Sequence, residues 1–309
     1  MILKKGFADE YLDDVINGRI KKGLSLGIPI FDEHYRFKQG EFTIINGLDN
    51  VGKTDWILWY FCALASVRGL KFAIWSGENK AGQLVKRLIQ WKVGNYLDKI
   101  EPKDFYAAKA WVEDHFTFID NTGFYKSTEL FTMFSKLDVD AVLLDPYTGM
   151  NRDYTHAANY DFLNESRQFV NSTKISLFVN THPNTEAARR IYSIEHEYAG
   201  YPMPPSRSQS EGGQPFANRP DNFITIHRLI GHPLMKFNTL IYVRKIKDTE
   251  TGGEPNAIDD PIVFEFNKGL GFTSENINVI NDIVRPDLEY KPLTVTSSFY
   301  DDDNEDKPF

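Results

Sequence analysis

A chain of 309 residues, 41% hydrophobic and 25% charged, has ordinary globular composition and is long enough for one large α/β domain or two small ones. Its longest apolar run, residues 56–67, is too short to cross a bilayer, and the single cysteine, Cys62, excludes a disulfide framework or a cysteine-based zinc site. The net charge of −8 argues against bulk attraction to nucleic acid, yet acids outnumber bases by five beyond Pro286, which leaves the body only mildly acidic. Binding of nucleic acid follows local phosphate contacts, so a few bases along one channel suffice.

The first 22 residues read as an arm with a short helix over 11–19 and a basic end, either a surface segment or one that docks on a neighbour. No signal peptide is visible, because Met1-Ile2-Leu3-Lys4-Lys5 runs straight into polar residues. A reducing, cytoplasmic compartment is expected. Residues 24–40 form a lead-in with turn signals at Gly27, Pro29 and Gly40.

Residues 40–54, GEFTIINGLDNVGKT, organise the rest. A short β-favouring run ends in Gly47, Leu48, Asp49, Asn50, Val51, Gly52, Lys53 and Thr54. That is G-x-x-x-x-G-K-T between a strand and a helix, the context a P-loop requires. The two glycines let successive N–H groups turn inward toward phosphate oxygens, and the following helix adds its N-terminal partial charge. Lys53 can reach the β- and γ-phosphates, Thr54 offers a hydroxyl to Mg²⁺, and Asp55 opens the helix behind them. The expected cofactors are ATP or another nucleoside triphosphate, with Mg²⁺.

Beyond it the pattern predicts a buried helix over 55–68, a strand over 70–75, a helix over 83–96 and a strand over 116–120. Then follow a helix over 127–137, a strand over 140–144, a helix over 160–172 and a strand over 175–180. Such alternation implies right-handed crossovers and a mostly parallel sheet with helices on both faces. Residues 186–220 are polar, without a clear period. The runs 223–227, 239–243 and 261–266 read as strands added antiparallel at the carboxyl-terminal edge. The expected organisation is an arm over 1–22, an α/β nucleotide-binding domain over 23–285, and an acidic, disordered tail over 286–309.

Ligands in open α/β sheets bind where strands end. Asp145 ends an apolar strand, the position of a carboxylate that holds the Mg²⁺ hydration shell; otherwise it is a turn aspartate. Glu78 follows the strand after the P-loop unit, where a carboxylate can activate water, or simply start a helix. His182 follows another strand and is either a γ-phosphate sensor or structural. Arg207, Ser210, Glu211, Gly212 and Gly213 lie in a polar loop that suits a single-strand phosphate track, or is merely solvated. Arg244, Lys245 and Lys247 end a late strand and can reach a neighbour's γ-phosphate, or discourage edge-to-edge pairing.

Together these residues resemble the superfamily-four replicative helicases, the RecA-fold ATPases that include DnaB, Twinkle and the phage primase-helicases. The resemblance covers about residues 23–272. It rests on the lead-in ending in Phe31-Asp32, on Trp75-Ser76-Gly77-Glu78-Asn79 with the helix segment Gln83-Leu84-Val85-Lys86-Arg87-Leu88, on Leu143-Leu144-Asp145-Pro146-Tyr147, on Asn180-Thr181-His182-Pro183, and on Glu211-Gly212-Gly213 followed by Asn218-Arg219-Pro220-Asp221-Asn222. It makes the domain over 23–285 a RecA-like helicase ATPase domain, and it implies hexameric rings, nucleotide at subunit interfaces, single-stranded DNA in the pore, and a bacterial or phage-infected cytoplasm. The family's late strand supplies a lysine and an arginine finger, where this chain has Lys245 and Lys247; lysine lacks arginine's forked donors. Only about twenty residues precede the core in this sequence, so the resemblance leaves priming to another chain. The terminus, Asp301 through Phe309, resembles the acidic tails of single-strand-binding proteins and suits a basic pocket on a primase, polymerase or similar partner; a solubilising tail is the alternative. The function so implied is an ATP-dependent helicase subunit. The alternative is a RecA- or KaiC-like ATPase that binds DNA or a partner without unwinding.

Overall fold

The computed structural model describes residue 2 and residues 4–20, 22–153 and 155–282. The predicted acidic tail lies outside them. Two units form, the larger being Gly23–Pro286. In the smaller, α1 (Asp9–Ile16) starts two residues before its predicted position, because Asp9 and Glu10 suit the positive end of a helix. It buries none of its residues.

The larger unit opens with α2 (Pro29–Asp32), β1 (Phe42–Asn46), α3 (Lys53–Arg68), β2 (Phe72–Ser76), α4 (Ala81–Val93), α5 (Pro102–His115) and β3 (Phe116–Phe118). It continues with α6 (Ser127–Phe134), β4 (Ala141–Asp145), α7 (His156–Thr173), β5 (Ser176–Thr181), α8 (Gln214–Asn218) and β6 (Asn222–His227). Last come β7 (Asn238–Ile246), α9 (Thr249–Gly252), β8 (Ile262–Phe266) and β9 (Phe272–Thr273). The Asp32 carboxylate organises the lead-in, accepting the N–H groups of Leu26 at 2.6 Å, Gly27 at 2.9 Å and Ile28 at 3.1 Å.

The strands make one sheet in the order β3-β2-β4-β5-β1-β6-β7-β8-β9. β1, β2, β4, β5 and β6 are buried at every residue, as strands covered on both faces must be. Alternate residues feed two cores. Ile45, Ile74, Leu143 and Phe178 pack with Trp56, Trp59, Phe61, Leu88 and Val112 from α3, α4 and α5. Ile44, Trp75, Leu144 and Val179 pack with Leu130, Phe134, Phe162, Leu163 and Phe216 from α6, α7 and α8. Helix α3 is buried almost all round, which explains its unbroken apolar run and its place at the centre of the first core. Trp56 stacks on Tyr60 with centroids 5.5 Å apart, and Phe61 stacks on Phe72 at 4.2 Å. Each such buried ring contributes about 2–3 kcal/mol.

Two expectations need correction. The strand predicted over 223–227 is parallel to β1, not part of the antiparallel edge; the antiparallel run begins with β7. The long connection over 182–221 carries the chain back to make that parallel pairing. Helix α5 was not anticipated, because its apolar stripe is thin and only Ala108 and Val112 are buried. Pro102 in its first turn is the signal that marks its start.

Candidate nucleotide site

The P-loop leaves β1 through a close backbone crossing. A Cβ on Gly47 would stand 2.3 Å from the Ile226 carbonyl oxygen on β6, so only glycine fits. Asn50 and Gly52 take left-handed conformations, φ 60° and 87°, which turn the loop back on itself before α3 begins at Lys53. Val51 is buried beneath the loop and anchors it to the core. The Lys53 ammonium donates to the carbonyls of Gly47 at 2.8 Å and Leu48 at 3.0 Å. Burial lowers its proton affinity, and Asp49, Asp145 and Glu78 act against that.

Asp145 is the hub. Thr54 Oγ1 donates to its two oxygens at 3.1 and 3.0 Å. Ser76 Oγ donates at 3.1 Å and Asn180 Nδ2 at 2.6 Å, while Asn79 Nδ2 stands at 3.4 Å. The register of β4 between β2 and β5 makes this convergence: Ser76 lies opposite Asp145, and Leu144 opposite Val179, one step from Asn180. Asn121 Nδ2 ties the next loop down by donating to the carbonyls of Ser76 at 2.7 Å and Asn79 at 3.0 Å.

A cavity of about 600 Å³ opens above this hub. Its walls include Asp49, Asn50, Gly52, Lys53, Thr54, Asp55, Glu78, Asp145 and His182. Glu78 is more than half exposed and faces His182 Nε2 at 3.9 Å; His182 Nδ1 stands 2.9 Å from Asp49. Two further wall residues had no site role in the sequence reading: Arg87 from α4, which lies in the segment resembling the catalytic-glutamate helix, and Arg228 just beyond β6. Arg87 pairs with Asp55 at 2.8 Å. Burial raises the proton affinity of the Asp55 carboxyl, and Arg87 and then Arg228 oppose the rise. Arg228 holds Thr239 on β7 through Nε at 3.1 Å and lies over the Phe266 ring. The rule that places ligands at strand ends could have found Arg228. No sequence pattern marks Arg87, Ser76 or Asn180 as partners of these carboxylates.

The remaining candidates lie outside the cavity walls. Lys245 Nζ donates to the carbonyls of Asn218 at 2.6 Å and Pro220 at 2.7 Å. Arg244 packs over the Tyr242 ring, and Lys247 is exposed beside Asp221 at 3.2 Å. In the polar loop Arg207 and Glu211 are exposed, Gly213 is half-buried, and Ser210 and Gly212 are buried. That loop is sewn to the end of β5: Glu211 N–H donates to the His182 carbonyl at 2.9 Å, and Asn184 N–H to that of Gln209 at 2.7 Å.

The oxygen donors fit Mg²⁺. A hydroxyl and a carboxylate at one point suit an ion that keeps waters and takes its other ligands from phosphates. Among the described residues no group of three or more His, Cys, Asp or Glu side chains converges as a metal cage. No helix among them is long and apolar enough to cross a membrane.

A P-loop at the carboxyl end of a central strand, with an aspartate two strands away and a mostly parallel sheet extended by antiparallel strands, defines a RecA-like ATPase fold. The fold is similar to that of DnaB-like helicase ATPase domains. It is similar to the ATPase domain of G40P, with a TM-score of 0.67 at 14% identity over 88% of this chain and 99% of that one. A DnaB-like replicative helicase, described with its interactions with primase, gives 0.67 at 13% identity over 88% of this chain and 67% of that one. A KaiC-like protein from Pyrococcus horikoshii gives 0.55 at 13% identity over 82% and 99%. In sequence, 103 residues are 29% identical to the Twinkle homolog protein, chloroplastic/mitochondrial, of Arabidopsis thaliana. That match takes in 30% of this chain and only 14% of the relative's length. No family model matches the chain.

Proposed function

We propose that this chain is the motor domain of a replicative-type DNA helicase, hydrolysing a nucleoside triphosphate to move along single-stranded DNA as part of a ring. The observation that carries the reading is the meeting of Thr54 with Asp145 under a cavity whose walls also hold Lys53, Glu78 and His182. The Twinkle match and the likeness to DnaB-type ATPase domains support it.

In this reading Lys53 neutralises phosphate charge, and Thr54 and Asp145 hold the Mg²⁺ hydration shell. The ion supplies charge neutralisation at the phosphates when bound. Glu78 takes the proton of the attacking water, and its exposed position at the cavity wall suits that task. His182 meets the γ-phosphate, and its backbone bond to Glu211 links it to the loop that carries Arg207 toward DNA. Lys247, exposed just beyond the end of β7, reaches a neighbouring subunit's nucleotide.

The test is hydrolysis by purified protein with and without single-stranded DNA, alongside its mass in solution with Mg²⁺ and nucleotide. A hexamer-sized particle whose hydrolysis rises with DNA, and falls at least about a hundredfold in Glu78→Gln, supports the reading. A monomer that ignores DNA would shift it to a regulatory ATPase. The likeness to a KaiC-like protein, and lysines at the positions matched to the finger segment, favour that second reading.

A further inference from the structure

Glu78 does not hold itself in place. Its side chain is 58% exposed, and it approaches His182 Nε2 only to 3.9 Å. Its position is therefore set by the backbone on either side. On the strand side the loop is pinned: Gly77 N–H donates to the Asp145 carbonyl at 2.8 Å, Asn79 N–H to Ser76 Oγ at 3.1 Å, and Asn121 grips Ser76 and Asn79. On the helix side the loop runs directly into α4, which begins at Ala81.

Helix α4 packs on α3 through Leu88 and Trp91, Lys92 Nζ donates to Ser66 Oγ, and nearer the nucleotide site a charged contact joins the two helices. Arg87 Nη1 reaches Asp55 Oδ1 at 2.8 Å, with the two side chains 34% and 26% exposed. Asp55 is the residue after Thr54, in the first turn of α3. Arg228 also acts electrostatically on Asp55, and it stands close to the loop: a Cβ on Gly52 would come 3.0 Å from its Nη2. A carboxylate beside a polyphosphate site repels the ligand, and burial adds to its cost; such a group persists where cations face it. Here it joins the start of the P-loop helix to the helix behind Glu78.

We propose that Asp55 and Arg87 are positioning residues for Glu78, a brace that fixes α4 against the P-loop helix and so sets where the Glu78 carboxylate stands relative to Thr54 and Asp145. The inference rests on the reading of the cavity as a hydrolytic site, but half of its test does not. Small displacements of a catalytic group cost rate steeply, about a hundredfold for one ångström, while ligand contacts made elsewhere are untouched.

The experiment uses the full chain with Asp55→Asn, Arg87→Gln and Arg87→Lys. First, amide hydrogen exchange at Gly77 and Asn79 is read without nucleotide. It rises several-fold in Asp55→Asn and Arg87→Gln and stays near the parent's in Arg87→Lys; unchanged exchange in the first two overturns the brace whatever the protein's activity. Second, hydrolysis and the dissociation constant of a fluorescent ATP analogue are measured with Mg²⁺. The expected result is kcat lower by about tenfold or more in Asp55→Asn and Arg87→Gln, a larger effect than any change in affinity, with most of the rate restored in Arg87→Lys. In a Glu78→Gln background, Asp55→Asn costs no further rate, since the group it positions is gone. Loss of affinity and of melting temperature together with rate would mean that the pair serves folding alone, and would overturn the proposal. Absence of hydrolysis in the parent protein, with altered loop exchange in the variants, would instead count against the hydrolytic reading and leave the brace standing.

Discussion

Asn180 Nδ2 donates to Asp145 Oδ1 at 2.6 Å, and both residues are buried on adjacent parallel strands. The contact leaves Asp145 facing Thr54 with its other donors already arranged. Truncation in Asn180→Ala is expected to destabilise by about 1–2 kcal/mol and to lower hydrolysis about tenfold. Asn180→Asp should be worse on both counts, because it sets a second carboxylate against the first. Urea midpoints and kcat of the two variants check the order; equal behaviour would remove the contact from the site's architecture.

Gly47→Ala tests the P-loop crossing. The added methyl meets the Ile226 carbonyl at 2.3 Å, and neither backbone can yield cheaply where β1 pairs with β6. Nucleotide affinity should fall at least about tenfold while the secondary structure persists. Titration calorimetry with an ATP analogue, beside circular dichroism, separates the two effects.

Stability should fall between neutral pH and pH 4 because of His227. Burial carries its pKa down to about 4, opposed by the Pro202 backbone and furthered by the Arg244 charge, and neither ring nitrogen has a well-formed hydrogen bond. The folded state thus holds the ring neutral, while the unfolded chain takes up a proton below about 6.5. Stability is full above that value and declines as pH drops toward 4, by an amount on the order of 3 kcal/mol. His227→Leu should flatten this part of the profile; urea titrations at pH 7 and 5 would show it.

A second decline belongs to Asp221. Burial alone would raise its pKa, but Arg167 at 2.7 Å, the Phe42 N–H at 2.9 Å and Lys247 hold it below the usual aspartate value. A depressed carboxylate contributes stability above its unfolded pKa and loses it as pH falls through the lower folded one. Asp221→Asn should cost about 1–3 kcal/mol at pH 7, since Arg167 loses its carboxylate and keeps only the Arg219 carbonyl. It should also weaken the dependence of stability on pH in the most acidic range, which denaturant melts below pH 4 would reveal.

Much of this molecule was legible before folding. The P-loop, the alternation of buried strands and helices, and the places of Glu78, Asp145 and His182 at strand ends all follow from local order: a strand must exit where the apolar run stops, and polar residues placed there face the ligand edge. The direction of β6 was not legible. Whether a strand after a long polar connection pairs parallel or antiparallel depends on where that connection travels, and its composition does not encode the path. Helix α5 was missed because a helix with only two buried residues leaves little periodicity to read.

By itself, then, the sequence determined the fold class and the residue types of the site, because covalent order and hydrophobic period act over a few residues. Only tertiary structure decided which of them meet. Ser76, Asn180 and Thr54 reach Asp145 from three separate elements, and Asp55 takes Arg87 from a fourth. Those contacts depend on strand register and helix docking, which are set by packing across the whole sheet and leave no trace in local spacing.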